Sequence, residues 1–285
     1  MAGRLRTTAP TGVLKRPGVV FDGYALDLDG TVYVDDEVLP GAAEAIARMR
    51  AHGSRVVFVT NKPLQTAEQY AAKLESLGIR ADANDVVTAL DSLLRYLRTR
   101  HLGERLLTVA EPLVDELCGR AGFDVVTDPA LAQVVVVSFD RTFDYAKLLA
   151  GFRAVRAGAA IVATNPDPYC PTSDGGLPDC AAMLAALEAC TGRAAEAVVG
   201  KPSRHMGAAV LDRLGVAPGR AAMVGDRVAT DVAMGQQLGM AGVLVLSGAT
   251  RAQDLDRFDI HPDYVVPTLA DVLPDLPAPP EETSK

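Results

Sequence analysis

Four apolar runs in this chain each end in a cluster of polar residues, and stretches with helical periodicity separate them. The clusters are Asp27-Leu-Asp29-Gly30-Thr31 after Tyr24-Ala-Leu, Thr60-Asn61 after Val56-Val-Phe-Val59, Gly200-Lys201-Pro202 after Ala197-Val-Val199, and Gly225-Asp226-Arg227 with Thr230-Asp231 after Ala222-Met-Val224. Short apolar runs bounded by turn residues fit strands covered on both faces, and their alternation with helices argues for a parallel α/β sheet. In an open parallel sheet, ligands bind beyond the carboxyl ends of the strands. Clusters far apart in sequence are therefore expected to converge on one crevice.

The same alternation runs through the rest of the chain. Strands are expected at Tyr24–Leu28, Arg55–Val59, Leu106–Ala110, Gln133–Ser138, Ala160–Ala163, Ala221–Val224 and Val243–Leu246. Tyr264–Val266 reads as an edge strand because Pro262 and Pro267 bracket it. Helices are expected at Pro40–Ala51, Thr66–Leu77 (closed by Gly78), Glu111–Gly119, Tyr145–Arg156, Asp179–Cys190 and Arg227–Leu238. No repeat of solenoid period and no low-complexity tract interrupts the pattern.

The chain has 285 residues, 49% of them apolar, which suffices for one large or two moderate cores. The net charge of −8 and the absence of a strongly basic patch speak against a nucleic-acid partner. No apolar stretch approaches the length of a membrane span, so no membrane role is expected. The segment Met1–Val20 carries Lys and Arg but no following apolar region, and reads as a mobile arm rather than a secretory signal. Pro277–Lys285 is proline-rich and acidic and reads as a disordered tail. Cys118, Cys170, Cys180 and Cys190 have no C-x-x-C spacing and read as buried or semi-buried thiols of a cytoplasmic protein. The four histidines share no spacing and read as surface or packing residues.

Asp27 and Asp29 are one residue apart on a strand end, so their carboxylates leave the same face. Two anions held that close at an apolar strand end call for a divalent cation or a shared proton. Taken singly, each cluster also has an ordinary reading. Asp27-x-Asp29 could be an Asx-turn, Thr60-Asn61 a helix cap, Lys201 a solvated lysine, Gly225-Asp226 a turn, and Asp231 a first-turn helix charge. Pro202 suits the first position of a helix, whose positive end could face an anion. Gly200-Lys201 is not a P-loop, since no Gly-x-x-x-x-Gly precedes it. Together the clusters supply a nucleophilic carboxylate, further acids for a hard cation, a hydroxyl, an amide and a lysine, an inventory suited to phosphoryl transfer.

As a set, Asp27-Leu-Asp29-Gly30-Thr31-Val32, Thr60-Asn61, Gly200-Lys201-Pro202 and Gly225-Asp226-Arg227-x-x-x-Asp231 resemble the aspartate-nucleophile phosphatases of the haloacid dehalogenase superfamily. The likeness covers about residues 20 to 270. Roughly 140 residues separate Thr60 from Lys201, enough for an inserted domain. That resembles the subclass with a large α/β cap between its second and third motifs, which includes p-nitrophenyl phosphatase, phosphoglycolate, and nucleotide or sugar phosphatases. The cap segment Ala163-Thr-Asn165-Pro-Asp167 agrees. The resemblance implies a Rossmann-like, doubly wound parallel core over residues 20–83 and 195–272 and a cap over 84–194, flanked by an arm (1–19) and a tail (273–285).

The resemblance also implies a mechanism. Asp27 attacks phosphorus, and Asp29 protonates the leaving group and then activates water. Mg²⁺ binds Asp27, the Asp29 carbonyl and Asp226, with Asp231 orienting metal waters or Lys201 from behind. Thr60, Asn61 and Lys201 hold phosphoryl oxygens, near Gly30, while Asn165, Asp167 and Asp179 are cap candidates for substrate binding. Two positions depart from the pattern. Lys62 stands where many relatives have a second Asn and places a further cation near the phosphate entrance or faces water, and Leu177-Pro178-Asp179-Cys180 replaces a Pro-Gly-Ala-Gly-like turn. The expected substrate is a small phosphate monoester such as a sugar, polyol, glycolate or nucleotide phosphate. A dehalogenase would need neither metal nor Asp29. A phosphotransferase would differ only in the acceptor, and a silent phosphate-ligand-binding regulator would lack turnover. Oligomeric state, homodimer included, does not follow from the sequence.

Overall fold

A computed structural model describes residues 14–170 and 176–274. The chain divides into two compact units: residues up to Phe58, Ser76–Ile79 and from Leu214 onward, and Val59–Glu75 with Arg80–Arg213. The expected cap, 84–194, falls inside the second unit, which also carries Thr60, Asn61 and Lys201.

In the first unit, the strands stand in the order Tyr264–Val266, Ala241–Val245, Ala221–Gly225, Gly23–Asp27 and Arg55–Thr60, of which Val59 and Thr60 are already counted with the second unit. Gly23–Asp27 runs parallel to Ala221–Gly225, with Leu26 opposite Val224. Ala221–Gly225 is parallel to Ala241–Val245, and the latter to Tyr264–Val266. Tyr24, Ala25 and Leu26 are wholly buried, as a strand covered on both faces requires. Helix Ala42–Ala51 buries Ala42, Ala45, Ile46 and Met49, one stripe at helical spacing. The chain enters the sheet at Gly23–Asp27, steps to one side with Arg55–Thr60, and returns to the other with Ala221–Gly225. The order therefore reverses between the first strand and Ala221–Gly225, the point at which such sheets open a ligand crevice.

The second unit has its own parallel sheet, in the order Ala197–Val198, Ala160–Ala163, Val134–Val137, Arg105–Val109 and Asp124–Val125. Alternation along the all-valine strand Val134–Val137 explains how four consecutive valines are all buried. Val135 and Val137 pack with Ala154, Val155, Met183 and Leu187. Val134 and Val136 pack with Leu93, Leu97, Val114 and Cys118. Each fully buried valine contributes about 1.5–3 kcal/mol of transfer free energy. Cys118, Cys170 and Cys180 are buried free thiols, whereas Cys190, on helix Cys180–Thr191, is exposed.

Two local expectations change. The expected helix Arg227–Leu238 is a π turn, Val228–Val232, followed by a short α-helix, Ala233–Gln237. The Arg227 carbonyl accepts from both Asp231 N–H (3.0 Å) and Val232 N–H (3.3 Å), which widens the turn. Pro202 does not open the helix after Lys201. That helix is Arg204–Leu214, the Lys201–Pro202 peptide is cis, and Ser203 Oγ accepts the His205 N–H at 3.1 Å. The sheet ends at Tyr264–Val266, as expected of an edge strand, and there Lys15 and Val265 exchange two backbone hydrogen bonds of 2.9 Å. Of the arm expected over residues 1–19, Lys15 is thus tied down and Arg16 pairs with Asp271, while residues 1–13 lie outside the described residues. The expected tail likewise lies outside them from residue 275. Among the described residues, no helix is long and apolar enough to cross a membrane.

Candidate active site

Asp27 ends the first strand, and Asp226 follows the strand paired with it, so the sheet register alone brings the two side by side. The π turn turns Asp231 back toward them. All three carboxylates are buried, and oxygens from each lie within 4.8 Å of one another. At an effective dielectric of about 20, two unit charges at that distance repel by about 3.5 kcal/mol.

The surroundings hold each carboxylate in place. Asp226 Oδ2 accepts the Ala249 N–H at 2.5 Å, and the Asp226 carbonyl accepts the Thr250 N–H at 3.1 Å. Asp231 Oδ2 accepts the Arg227 N–H at 3.0 Å. Thr31 Oγ1 donates to Asp27 Oδ2 at 3.4 Å. Gly30 has φ +84°, and a Cβ there would come within 2.6 Å of Asp226 Oδ2. A Cβ on Gly248 would lie 2.0 Å from the same oxygen, and one on Gly225 would lie 2.2 Å from Asp231 Cγ. Three glycines thus form the wall of this cradle because nothing larger fits. Oxygen-only donors, closely spaced and anionic, match what a hard divalent cation takes.

Asp29 is not part of this trio. It is partly exposed and lies in the tight loop in which Leu28 O accepts from Thr31, Val32 and Tyr33. Asp231, placed by the sequence reading at the metal site, stands among the three clustered carboxylates. Sequence reasoning missed the loop Ser247-Gly248-Ala249. A signal for it exists, since it is the polar end of a further apolar strand, Ala241–Val245.

In the second unit, Thr60, Asn61 and Lys201 are all buried. Thr60 Oγ1 accepts the Lys62 N–H at 3.1 Å. The Asn61 side chain is fully engaged. Its Oδ1 accepts the Lys201 N–H at 2.7 Å, and its Nδ2 donates to the Lys201 carbonyl at 3.1 Å and to Asp167 Oδ2 at 2.8 Å. Gly200 admits this approach, since a Cβ there would lie 2.6 Å from Asn61 Oδ1. Asn165 Nδ2 donates to the Asn61 carbonyl (3.1 Å) and to Asp179 Oδ1 (3.3 Å), while Asn165 Oδ1 accepts the Asp167 N–H (2.9 Å). Asp179 caps helix Cys180–Thr191 through the Cys180 N–H at 2.5 Å. Asn165, Asp167 and Asp179 are therefore buried in one network with Asn61. Lys62 is half-buried, and its carbonyl accepts from Tyr70 Oη at 2.9 Å.

Comparison with known proteins agrees with this architecture. A family model described as haloacid dehalogenase-like hydrolase matches residues 24–124, and a second, HAD-hydrolase-like, matches residues 198–272. The chain belongs to the haloacid dehalogenase-like hydrolase family and is one of its phosphatases. It is 35% identical to the sugar-phosphatase AraL of Bacillus subtilis (strain 168) over 251 residues, which are 88% of this chain and 91% of that protein. It superposes on the 4-nitrophenylphosphatase of Thermotoga maritima with TM-score 0.82 and 34% identity, over 88% of this chain and 95% of the other. A glycerol phosphate phosphatase of Mycobacterium tuberculosis, solved in complex with magnesium, gives TM-score 0.81 and 32% identity over 89% and 76%.

Proposed function

We propose that this protein hydrolyses a small phosphate monoester with Mg²⁺, through a phosphoryl group carried on Asp27. The observation that carries this reading is the buried trio Asp27, Asp226 and Asp231, at the topological switch point of a parallel sheet. The magnesium-bound relative supports the choice of ion. Asp27, Asp226 and Asp231, with the Asp29 carbonyl, are the residues that would hold it. When bound, the cation offsets the mutual repulsion of the carboxylates and the charge of the phosphate.

A carboxylate oxygen of Asp27 attacks phosphorus while the bond from phosphorus to the ester oxygen breaks. Asp29, on its partly exposed loop, gives its proton to the departing oxygen. It then takes a proton from a water that attacks the phospho-aspartate, and the bond to Asp27 breaks to free phosphate. Such acid–base assistance is worth about 10²–10⁴-fold. Thr60 Oγ1 accepts from Lys62 N–H, so its own hydrogen serves a phosphoryl oxygen. The Lys201 ammonium serves the same group. Asn61 contributes through its main chain, because its side-chain amide is engaged elsewhere.

The residues of the cap, 84–194, choose the leaving group, and the sugar-phosphatase relative favours a phosphorylated sugar or polyol. Lys62 adds positive potential that favours substrates with an extra acid group. A transferase would use the same phospho-enzyme with a different acceptor. A panel of sugar, polyol, glycolate and nucleotide monoesters, ranked by kcat/KM with Mg²⁺, tests the assignment. One sugar or polyol phosphate should lead the ranking, and no turnover of any ester would refute it.

A further inference from the structure

Asn165, Asp167 and Asp179 are natural candidates for contacting substrate. Their surroundings argue for another task. Asp167 and Asp179 are 8% and 3% exposed, and Asn165 is fully buried. The Asn61 amide spans both sides of the Lys201 peptide, accepting from its N–H and donating to its carbonyl. An amide can do this in one orientation only: Oδ1 must face the N–H and Nδ2 the carbonyl. What fixes that orientation is the second Nδ2 hydrogen, taken by Asp167 Oδ2 at 2.8 Å. Asp167 is fixed in turn, since its own N–H donates to Asn165 Oδ1, and Asn165 Nδ2 grips the Asn61 carbonyl. The chain is closed: Asn61 to Asp167 to Asn165 and back to Asn61.

We infer that Asp167 is a positioning residue for Lys201, acting through Asn61, and not a selector of the leaving group. The inference rests on the proposed role of Lys201 at the phosphoryl group. A carboxylate in a buried ring of amides is an acceptor only, so it cannot tolerate the flipped Asn61, which would aim Oδ1 at it. The flipped amide would also set oxygen against the Lys201 carbonyl. The clamp therefore fixes where the Lys201 main chain sits, and with it the origin of its ammonium. Misplacing a catalytic group by about 1 Å can cost about 10²-fold.

The test uses full-length protein carrying Asp167→Ala or Asp167→Asn, assayed on at least three chemically different phosphate monoesters with Mg²⁺. In parallel, NMR hydrogen exchange of the Lys201 amide reads the clamp directly, without any need for turnover. Asp167→Ala should lower kcat by about 10- to 100-fold, by the same factor for every ester and with KM little changed. It should also speed exchange at Lys201 by about 5- to 10-fold, the worth of one hydrogen bond. Asp167→Asn keeps an acceptor oxygen for Asn61 Nδ2 and should recover most of both. Losses that differ between esters and appear in KM would make Asp167 a specificity residue and overturn the inference. So would unchanged exchange at Lys201, or an Asp167→Asn as impaired as Asp167→Ala, which would point to charge rather than amide orientation. If Asp167→Ala fails to fold, Asp167→Leu takes its place, since it is close in shape to Asp167→Asn but offers Asn61 Nδ2 no acceptor, and the same outcomes decide. Absence of wild-type turnover would remove the phosphatase reading, while the exchange measurement would still stand or fall on the clamp.

Discussion

Asp226 Oδ2 lies 2.5 Å from the backbone nitrogen of Ala249, and Gly248 is the residue that lets the main chain come so near. A methyl group on Gly248 would sit 2.0 Å from that oxygen and 2.6 Å from Asp226 Cβ. Gly248→Ala should therefore push Asp226 out of the trio. Overpacking of this kind destabilises by about 1–3 kcal/mol. The more telling effect is a rise in the Mg²⁺ concentration needed for half-maximal activity by about 10- to 100-fold. A metal titration of the purified variant checks this, and an unchanged midpoint would show that the 247–249 loop does not set the site.

The two acidic residues of the first motif should fail differently. Asp27→Asn keeps the shape and removes the attacking charge, so turnover should fall by several orders of magnitude and no phospho-enzyme should form. Asp29→Asn should slow turnover by about 10²–10⁴-fold, yet phospho-enzyme should accumulate because water activation suffers. Intact-mass spectrometry of acid-quenched enzyme separates the two. A near-normal rate in Asp27→Asn would mean that another group attacks phosphorus.

The sheet and the four motifs were legible because each depends on local chemistry. Apolar runs mark the parallel strands, and observed strands such as Gly23–Asp27 and Arg105–Val109 begin and end within a residue of the expected ones. Polar residues at the strand ends mark the site. Asp231 was assigned to the metal site, but the π turn that brings it there was not legible, because the residue types of a π turn and an α-helix are the same. The engagement of Asn61 was also out of reach. It is made by Asp167 and Lys201, residues 106 and 140 positions away. Sequence shows that an amide is present, but not which of its atoms are already taken.

The thiols provide a test of the second unit's core. Burial pushes Cys118 up to about 12 and Cys180 up to about 11, so both stay protonated and shielded at neutral pH. Cys190 is exposed. Native protein treated with a maleimide at pH 7 should be modified at Cys190 well before Cys118 or Cys180, as read by peptide mass spectrometry. Rapid labelling of Cys118 would mean that helix Pro112–Arg120 does not pack against the Val134–Val137 strand.

Tyr96 links two segments of that unit. Its hydroxyl donates to Glu196 Oε1 at 2.7 Å, and Glu196 also receives His101 Nε2 at 3.1 Å. The Tyr96 hydrogen bond, followed by the nearby His101, holds the Glu196 carboxyl below its ordinary range. Burial first, then Glu196, pushes Tyr96 up to about 12, so it keeps its proton at pH 7. Because Glu196 is depressed, its stabilisation is present above the ordinary carboxylate range and is lost as pH falls through the lower folded value. Tyr96→Phe should cost about 1 kcal/mol at pH 7 by urea denaturation. That difference should shrink as Glu196 takes up its proton in acid, and a difference independent of pH would contradict the linkage.

Phosphate release from 4-nitrophenyl phosphate, measured against free Mg²⁺ for the wild type and Asp226→Asn, bears most directly on the central claim. The buried trio of carboxylates predicts a saturable dependence on Mg²⁺, no turnover after chelation, and recovery on adding the metal back. Asp226→Asn should move the midpoint up by at least about 10-fold. Turnover that continues undiminished after exhaustive removal of metal, or that ignores the loss of Asp226, would contradict it.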